Sequence, residues 1–212
     1  MDHCPLCGAC DLALFFQADK QQYYQCPQCA LIVMDPDGYL SKEQEKREYD
    51  LHQNSPDDQR YRKFLSRLAL PLLDLLEPSR RRGLDYGCGP GPTLSAMLEE
   101  AGCRMSLFDP FYFPSTSVFA GVYDFITCTE VFEHFKNPAK ELELVLSLLE
   151  PKGCLAVMTK LSTGRADFSR WHYRFDATHV SFFSRGTFRF IADRYHLDCE
   201  IMGNDVIFLR KR

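Results

Sequence analysis

Gly83-Leu84-Asp85-Tyr86-Gly87-Cys88-Gly89-Pro90-Gly91 is the stretch that decides the fold of this 212-residue chain. A short apolar strand that ends in an acid is followed by alternating glycines, and glycine serves where the backbone takes a positive φ or where a ligand must approach without a Cβ in the way. Residues 93–101 then predict a helix, because Leu94, Met97 and Leu98 share one face. Ligands of open α/β sheets collect at such strand-to-helix turns, so the run predicts a nucleotide-like cofactor at this edge.

The details of the turn distinguish between cofactors. A dinucleotide fingerprint requires Gly or Ala three residues after its second glycine, for close helix packing around a pyrophosphate, but Pro92 stands there. The carboxylate of Asp85 would repel a phosphate and attract a cation. The turn therefore favours a cationic ligand, such as a sulfonium compound with a free amino group, over a dinucleotide.

A second carboxylate supports the same prediction. Residues 103–109 are predicted to form a strand that ends in Asp109, about 20 residues beyond the glycines. An acid at this distance can accept hydrogen bonds from both hydroxyls of a ribose. We therefore expect Asp109 to bind the ribose of the cofactor.

With these features the chain resembles the class I S-adenosylmethionine (SAM)-dependent methyltransferases, in particular the type 11, 12 and 23 groups. The resemblance covers roughly residues 80–212 and continues through residues 123–134, which match the family's fourth strand and a Glu-His pair near the reacting groups. It implies an α/β fold with a Rossmann-like sheet that ends in an antiparallel hairpin. It also implies that SAM is bound by residues of the glycine turn and of the strand ends, namely Asp85, Gly87, Cys88, Gly89, Gly91, Asp109, Thr129 and Glu130.

The resemblance also implies catalytic residues. Methyl transfer is an in-line displacement, so the protein has to position the acceptor and, for an O–H or N–H acceptor, to remove a proton. Glu133 and His134 follow the fourth strand, and His179 lies in a stretch, residues 178–184, that recurs in similar methyltransferases after a Trp- and Tyr-rich segment. Each histidine has two interpretations: His134 binds substrate or acts as a base, or it packs and orients its neighbours, and His179 is catalytic or fixes its loop by bonding the backbone.

The N-terminus carries a second motif, a pair of CxxC sequences with eighteen residues between them. Each CxxC forms a tight knuckle that directs two thiolates at one ion, and two knuckles supply the four sulfurs of a closed, structural zinc site. The predicted ligands are Cys4, Cys7, Cys26 and Cys29. Free or disulfide-bonded thiols are the alternative, which the absence of an export signal disfavours. Cys10 has no second cysteine at knuckle spacing and is expected to be a bystander.

Composition limits the partners of the chain. Hydrophobic residues make up 45% of it, and no apolar run is long enough to cross a membrane. Ten cysteines without a signal peptide indicate a reducing compartment, so we expect a cytoplasmic protein without a membrane partner. The net charge of −4 argues against broad electrostatic capture of nucleic acid, although the arginines at residues 80–82 leave local phosphate contact open.

Three segments are predicted along the chain: a zinc ribbon at residues 1–38, a helical linker that covers the cofactor pocket at residues 39–78, and a SAM-binding domain at residues 79–212. The ribbon is expected to contain hairpin strands near Leu14–Phe16 and Ala30–Met34. The strands of the last segment are predicted at residues 82–87, 104–108, 123–128, 153–159, 197–202 and 205–210.

Within the linker, helices are predicted at residues 41–50 and at about residues 56–76. Tyr49, His52 and Asn54 form a polar set between them. The set either reaches over the pocket or belongs to a solvated connection.

These patterns predict a methyltransferase that transfers a methyl group from SAM to an oxygen or carbon nucleophile of a small metabolite or biosynthetic intermediate. Amino-methyltransferases of nucleic-acid bases often carry an Asn/Asp-Pro-Pro-Tyr/Phe turn after the fourth strand, and residues 127–130 lack it. An RNA acceptor is therefore the second choice. From a different class, a protein that senses SAM without turnover and docks a partner through its zinc ribbon fits the same motifs.

Overall fold

The computed structural model describes residues 1–18, 21–51 and 55–212. The strands are β1 (Ala13–Ala18), β2 (Gln21–Gln25), β3 (Ile32–Met34), β4 (Arg82–Tyr86), β5 (Arg104–Phe108), β6 (Tyr123–Thr129), β7 (Leu149–Met158), β8 (Ser181–Phe182), β9 (Leu197–Met202) and β10 (Val206–Lys211). The α-helices are α1 (Lys42–Tyr49), α2 (Gln59–Leu75), α3 (Thr93–Glu100), α4 (Pro138–Ser147), α5 (Arg165–Phe168) and α6 (Arg185–Tyr195).

The main sheet has the strand order β5-β4-β6-β7-β10-β9. Neighbours from β5 to β7 pair in parallel, whereas β10 pairs antiparallel with both β7 and β9. This arrangement confirms the predicted Rossmann-like fold with its terminal antiparallel hairpin. Because β4, β5, β6 and β7 are parallel, their carboxyl ends meet at one edge, where open α/β sheets bind ligands.

Helices cover both faces of the main sheet. Successive strand residues point to opposite faces, and Phe125 and Ile126 of β6 accordingly belong to two different clusters of the core. On the side of Phe125, α2 and α3 pack through apolar stripes that include Leu68 and Leu98. On the side of Ile126, α4 and α6 contribute residues such as Val145. The second linker helix is therefore one of the layers that bury the sheet.

A second sheet, in the order β1-β2-β3-β8, contains the N-terminal residues. The predicted segments Leu14–Phe16 and Ala30–Met34 do not pair with each other, because β2, which the sequence analysis missed, lies between them. The outer strand β8 comes from the loop that contains His179, and it pairs Phe182 with Ile32 of β3. The ribbon and this loop thus share one sheet.

One residue of that loop links three parts of the chain. The backbone N–H of Val180 donates to the carbonyl oxygen of Glu133 at 2.8 Å, and the carbonyl oxygen of Val180 accepts from the N–H of Met34, also at 2.8 Å. Nearby, Phe168 packs edge-on against Tyr23 and Phe182, with ring centroids 5.1 and 5.2 Å apart. The loop is therefore fixed between the ribbon and the end of β6.

The linker begins with α1, whose first turn is closed by a capping box between Ser41 and Gln44. Of the polar set predicted there, Tyr49 is the last residue of α1, and His52 and Asn54 lie outside the described residues. No helix in the described ranges combines the length and apolar character that a membrane span needs.

Candidate active site

The glycine turn follows β4 directly. Gly87 and Gly89 have positive φ angles of 80° and 64°, which side chains with a Cβ rarely adopt. A Cβ on Gly87 would lie 2.5 Å from Cγ2 of Val131, whereas a Cβ on Gly89 would meet nothing within 4 Å. Gly91 has no positive φ, and its carbonyl oxygen accepts from the N–H of Thr93 at the start of α3. The turn therefore packs closely against the segment after β6 and leaves open space above Gly89.

Asp109 lies at the end of β5 and is bonded to this turn. Its Oδ2 accepts from the N–H of Gly89 at 3.0 Å, and its Oδ1 accepts from the N–H groups of Phe111 and Tyr112 at 2.9 and 3.1 Å. Each carboxylate oxygen has two lone-pair sites, so Oδ2 retains capacity for a ligand. Asp109 therefore lies beside the glycine turn with room on its carboxylate for a further hydrogen bond.

Asp85 is buried beneath the turn, with 3% of its surface exposed. Its two oxygens accept from the hydroxyls of Ser95 and Thr127 at 2.9 and 2.8 Å. Burial raises the pKa of the carboxyl group to about 6, although both hydroxyls act in the opposite direction. The carboxyl group of Asp85 therefore lies buried directly beneath the turn, hydrogen-bonded on both oxygens.

The end of β6 supplies further polar atoms. Within the described ranges, Thr129 Oγ1 and Glu130 Oε1 are buried without a hydrogen-bond partner. Glu130 has a φ of 53°, and burial together with Glu133 raises its pKa to about 8. Burial also raises the pKa of Tyr61 to about 12, with smaller contributions from Asp85 and Glu130. Tyr61 of α2, which sequence reasoning missed, therefore lies close to the turn.

Cys88 is half-buried between Gly87 and Gly89. Its Sγ lies 3.7 Å from the carbonyl oxygen of Gly89, and burial raises the pKa of the thiol above its usual value. The residue is therefore a neutral part of the turn.

The three predicted catalytic residues lie together. Glu133, His134 and His179 each offer one potential ligand atom, and these atoms lie within 4.8 Å of one another. The rings of the two histidines are edge-to-face, with centroids 4.8 Å apart. Val131, which contacts Gly87, precedes Glu133 by two residues, so the cluster adjoins the glycine turn.

Backbone carbonyls define the tautomer of both histidines. His134 Nδ1 lies 3.1 Å from the carbonyl oxygen of Thr178, and His179 Nδ1 lies 2.7 Å from that of Tyr173. Because a carbonyl oxygen only accepts, each Nδ1 carries a proton, and in a neutral ring Nε2 then holds the lone pair. Burial lowers the pKa of His179 below its usual value, although Glu133 opposes this, so the ring is neutral at physiological pH.

Glu133 is completely buried. Its Oε2 accepts from the hydroxyl of Thr159 at 2.9 Å, while its Oε1 has no hydrogen-bond partner among the residues described. Burial raises the pKa of this carboxyl group. Tyr173, which also approaches the Thr159 hydroxyl at 3.2 Å, packs on His179 with ring centroids 4.2 Å apart. The sequence did not predict that Thr159 bonds Glu133 or that Tyr173 packs on His179.

Tyr49 of α1 completes the surroundings of His134. The two rings are edge-to-face with centroids 5.3 Å apart, and the Tyr49 ring also approaches Phe111 at 5.6 Å. Burial raises the pKa of Tyr49. The first linker helix therefore lies beside the cluster and beside the turn after β5.

A cleft of about 590 Å³ lies next to this edge of the sheet. Its lining includes Arg67, Lys160, Trp171 and Asp205, and the charges of Lys160 and Asp205 both act on Glu130. A smaller cleft of about 370 Å³ is at the other edge, beside residues such as Lys152, and the predicted site residues line neither cleft.

The four predicted zinc ligands converge separately from these groups. Their sulfur atoms lie within 4.8 Å of one another, and two of the pairs, Cys4 with Cys29 and Cys7 with Cys26, are 3.5 and 3.4 Å apart. Zn–S bonds of about 2.3 Å give tetrahedral S···S distances of about 3.8 Å, so the set fits a zinc ion. Cys10 is exposed and is not part of the cluster.

Comparisons with known proteins agree with this geometry. Residues 51–200 match the family model described as "Methyltransferase domain". Among curated proteins, no sequence matches the chain at a significant level.

Solved structures of methyltransferases share the fold. Magnesium protoporphyrin IX methyltransferase from Synechocystis, with bound S-adenosylhomocysteine (SAH), is 13% identical with a TM-score of 0.53, over 80% of this chain and 94% of that one. The plantazolicin methyltransferase BpumL, in complex with a monoazolic desmethylPZN analogue and SAH, is 16% identical with a TM-score of 0.53, over 84% and 91% of the two chains. Human N-acetylserotonin methyltransferase with SAM is 14% identical with a TM-score of 0.52, over 72% of this chain and 54% of that one. The chain therefore belongs to the methyltransferase-domain family and has the fold of the class I SAM-dependent enzymes.

Proposed function

We propose that this methyltransferase transfers the methyl group of SAM to an oxygen or carbon nucleophile of a small molecule. One observation carries the proposal: the contact between Gly87 and Val131 joins the predicted cofactor turn to the segment that contains Glu133 and His134. An electrophilic methyl group held at the turn and an acceptor held by the cluster would therefore lie side by side, as in-line transfer requires.

The residues at the turn fit SAM. Asp109 would accept from the ribose hydroxyls, and the space above Gly89 lets the backbone approach the ligand. Thr129 Oγ1 and Glu130 Oε1, which lack partners among the described residues, would bond the polar groups of the ligand. The negative field of Asp85 would favour a cationic ligand. When bound, SAM supplies the methyl group on a positively charged sulfur.

The cluster would prepare the acceptor. For an O–H acceptor, the lone pair on Nε2 of His134 or His179 would accept the proton as the oxygen bonds the methyl carbon and the carbon–sulfur bond breaks. The products are the methylated acceptor, SAH and a protonated imidazole, and the buried Glu133 would stabilise that positive charge. His134 Nδ1 and His179 Nδ1 remain bonded to backbone carbonyls throughout, which keeps both rings in position.

Two observations favour a small acceptor over RNA. The cleft of about 590 Å³ has the volume of a small-molecule site. Structural neighbours with TM-scores of at least 0.5 are described as acting in small-molecule biosynthesis, such as the mitomycin 7-O-methyltransferase and a calicheamicin methyltransferase. Lys160 and Trp171 of the cleft would contact an acceptor with a planar or anionic group.

We further propose that the four N-terminal cysteines bind a structural zinc ion. Four sulfurs make a closed site that leaves no position for a substrate. Because β3 of the ribbon pairs with β8, the ion would stabilise the loop that contains His179.

Calorimetric titration with SAM, SAH and NAD tests the cofactor, and transfer of labelled methyl groups from SAM into a small-molecule extract tests the reaction. We expect micromolar binding of SAM and SAH, no binding of NAD, and labelled products of low mass. His134→Ala and His179→Ala should each lower label transfer by at least about 100-fold while SAM affinity changes only a few fold. His196→Asn, at the exposed end of α6, is the matched control.

Failure to bind SAM would refute the proposed function. Full label transfer by both histidine variants would refute the assigned roles of the cluster, and label incorporated into RNA but not into small molecules would replace the proposed acceptor class.

A further inference from the structure

We propose that the methyl acceptor carries a carboxylate beside a planar group, and that Lys160, oriented by His172, binds this carboxylate in the cleft of about 590 Å³ while Trp171 covers the planar group. The inference rests on the proposed function and deepens it, because it names the class of acceptor that the methyltransferase takes. It assigns this specificity to side chains that belong neither to the glycine turn nor to the histidine cluster.

The first observation is that a neutral partner holds the charge of Lys160 in place. Lys160 follows β7 closely, and its Nζ lies 2.6 Å from Nε2 of His172. An ammonium group only donates, so Nε2 accepts and the imidazole of His172 is neutral in this contact. Among the residues that the structure describes, no ion pair includes Lys160. His172 therefore orients the ammonium group without neutralising it.

The second observation is that the other charges around the cleft leave this cation in excess. Arg67 Nη1 forms an ion pair with Oδ2 of Asp205 at 2.6 Å, so these two charges compensate each other. Glu130, on which the charge of Lys160 acts, has its pKa raised to about 8 by burial and by Glu133. At pH 7 this carboxyl group is therefore mostly protonated. The remaining charge of the cleft is that of Lys160, which favours an anionic ligand.

The third observation is a planar apolar surface in the same cleft. Trp171 contributes to the lining, and its ring packs against Tyr173 and Phe182 with centroids 5.2 and 5.8 Å apart. These contacts fix the indole ring before a ligand binds, which reduces the entropy lost on binding. Met202, 39% exposed, adds a further apolar side chain. A planar group can stack on the indole face, so the cleft combines an aromatic surface with a cation.

Tyr173 connects this cleft to the predicted catalytic residues. Nζ of Lys160 lies 5.5 Å from the centroid of the Tyr173 ring, and the ring of His179 lies 4.2 Å from the same centroid. Thr159, which precedes Lys160 in the chain, donates its hydroxyl to Glu133. A molecule with one aromatic ring between its carboxylate and its nucleophile has a length comparable to this separation. Its carboxylate would contact Lys160 while its nucleophile approaches the histidine cluster.

Trp171 is the only tryptophan of the chain, so tryptophan fluorescence reports directly on the cleft. The probes are para-hydroxybenzoate and para-hydroxybenzamide, which have nearly the same shape but differ in charge. Each is titrated into the full-length protein in the presence of excess SAH. The variants are Lys160→Gln, which removes the charge, and Lys160→Arg, which keeps it. Lys152→Gln, at a lysine of the smaller cleft, is the matched control.

We expect para-hydroxybenzoate to bind at least about fivefold more tightly than the amide, as a charge-assisted contact that is partly exposed should give. Lys160→Gln should remove this preference, whereas Lys160→Arg and Lys152→Gln should keep it. Equal affinities for the acid and the amide in the unsubstituted protein would overturn the inference. A preference that survives in Lys160→Gln, or no saturable binding of either probe, would also overturn it.

Calorimetry with SAM on the same samples separates this inference from the proposed function. SAM binding without a preference for the acid would overturn the acceptor class and leave the proposed function standing. A preference that depends on Lys160, without SAM binding, would support the carboxylate site of the cleft and refute the proposed function.

Discussion

Asp85→Asn should stabilise the protein at neutral pH while weakening its cofactor site. The side chain is buried, and the pKa of its carboxyl group rises from the ordinary value of 3.8 to about 6 in the folded state. The folded protein therefore holds a proton more tightly than the unfolded chain does. Ionisation of Asp85 therefore lowers the free energy of unfolding as the pH rises from about 4 to 6, and this loss persists at higher pH. Asparagine keeps hydrogen bonds to Ser95 and Thr127 without the charge.

The size of the effect follows from the pKa shift. Each unit corresponds to about 1.4 kcal/mol, so the shift of about 2 units costs about 3 kcal/mol once Asp85 is ionised. Asp85→Asn should therefore match the wild type near pH 3.5 and exceed its free energy of unfolding by about 3 kcal/mol above pH 6.5. In a chain of this length, that corresponds to a rise of about 6–12 °C in the melting temperature.

Urea unfolding of both proteins without cofactor, at a series of pH values, is the assay. Asp74→Asn, at an exposed carboxylate on α2, is the control and should change stability little at any pH. Calorimetry should also show weaker SAM binding by Asp85→Asn, because the negative charge under the turn is gone. A stability difference that is independent of pH, or that favours the wild type above pH 6.5, would refute this account of Asp85.

Two further variant pairs test the glycine turn and the cysteine cluster. Gly87→Ala should destabilise the protein by at least about 2 kcal/mol more than Gly89→Ala, because only the former places its Cβ 2.5 Å from Val131, although both have positive φ; equal melting temperatures would contradict the packing described. Metal analysis of Cys29→Ser should find well below one zinc per chain, whereas Cys10→Ser should keep about one. The four-cysteine site would be wrong if both variants retained zinc equally.

Much of the main sheet could be predicted from the sequence because its signals are local. The strand, the glycines and the helix after Gly91 follow one another without interruption, and β4 to β6 and α3 formed close to where they were predicted. β7 begins at Leu149 rather than at the predicted residue 153, because Leu149 pairs with Tyr123 of the neighbouring strand β6. Such pairing depends on a neighbour that the local sequence does not show.

The second sheet was harder for two physical reasons. β2 reads Gln-Gln-Tyr-Tyr-Gln, so it lacks the alternation of apolar and polar residues that marks a half-buried strand, and only Tyr23 is fully buried. β8 has two residues and pairs with a strand far earlier in the chain, with Phe182 opposite Ile32, 150 positions away. Neither periodicity nor turn chemistry reports contacts over such a separation.

In the candidate site, the sequence identified the types of residue better than their contacts. His134 and His179 were named together through the family resemblance, and the structure brings them side by side. Asp85 was predicted to bind the cofactor, but its hydrogen bonds to hydroxyls of α3 and β6 could not be predicted, because those helix and strand residues are distant in sequence. Tyr61 belongs to a segment whose pattern predicts only a helix, and the electrostatic influence of Asp85 on Tyr61 depends on how α2 packs against the sheet.

The pairing of β3 with β8 means that the ribbon is not a removable module. A shortened protein that begins after residue 38 would leave the main-chain groups of Ser181 and Phe182 without their strand partner. The apolar face of Phe182, now fully covered, would become accessible together with Phe168. An unprotected strand edge with aromatic side chains invites intermolecular association. The truncated protein should therefore precipitate rather than form a minimal enzyme. A fusion of this catalytic domain to another protein would need a further segment that covers the exposed edge of β8.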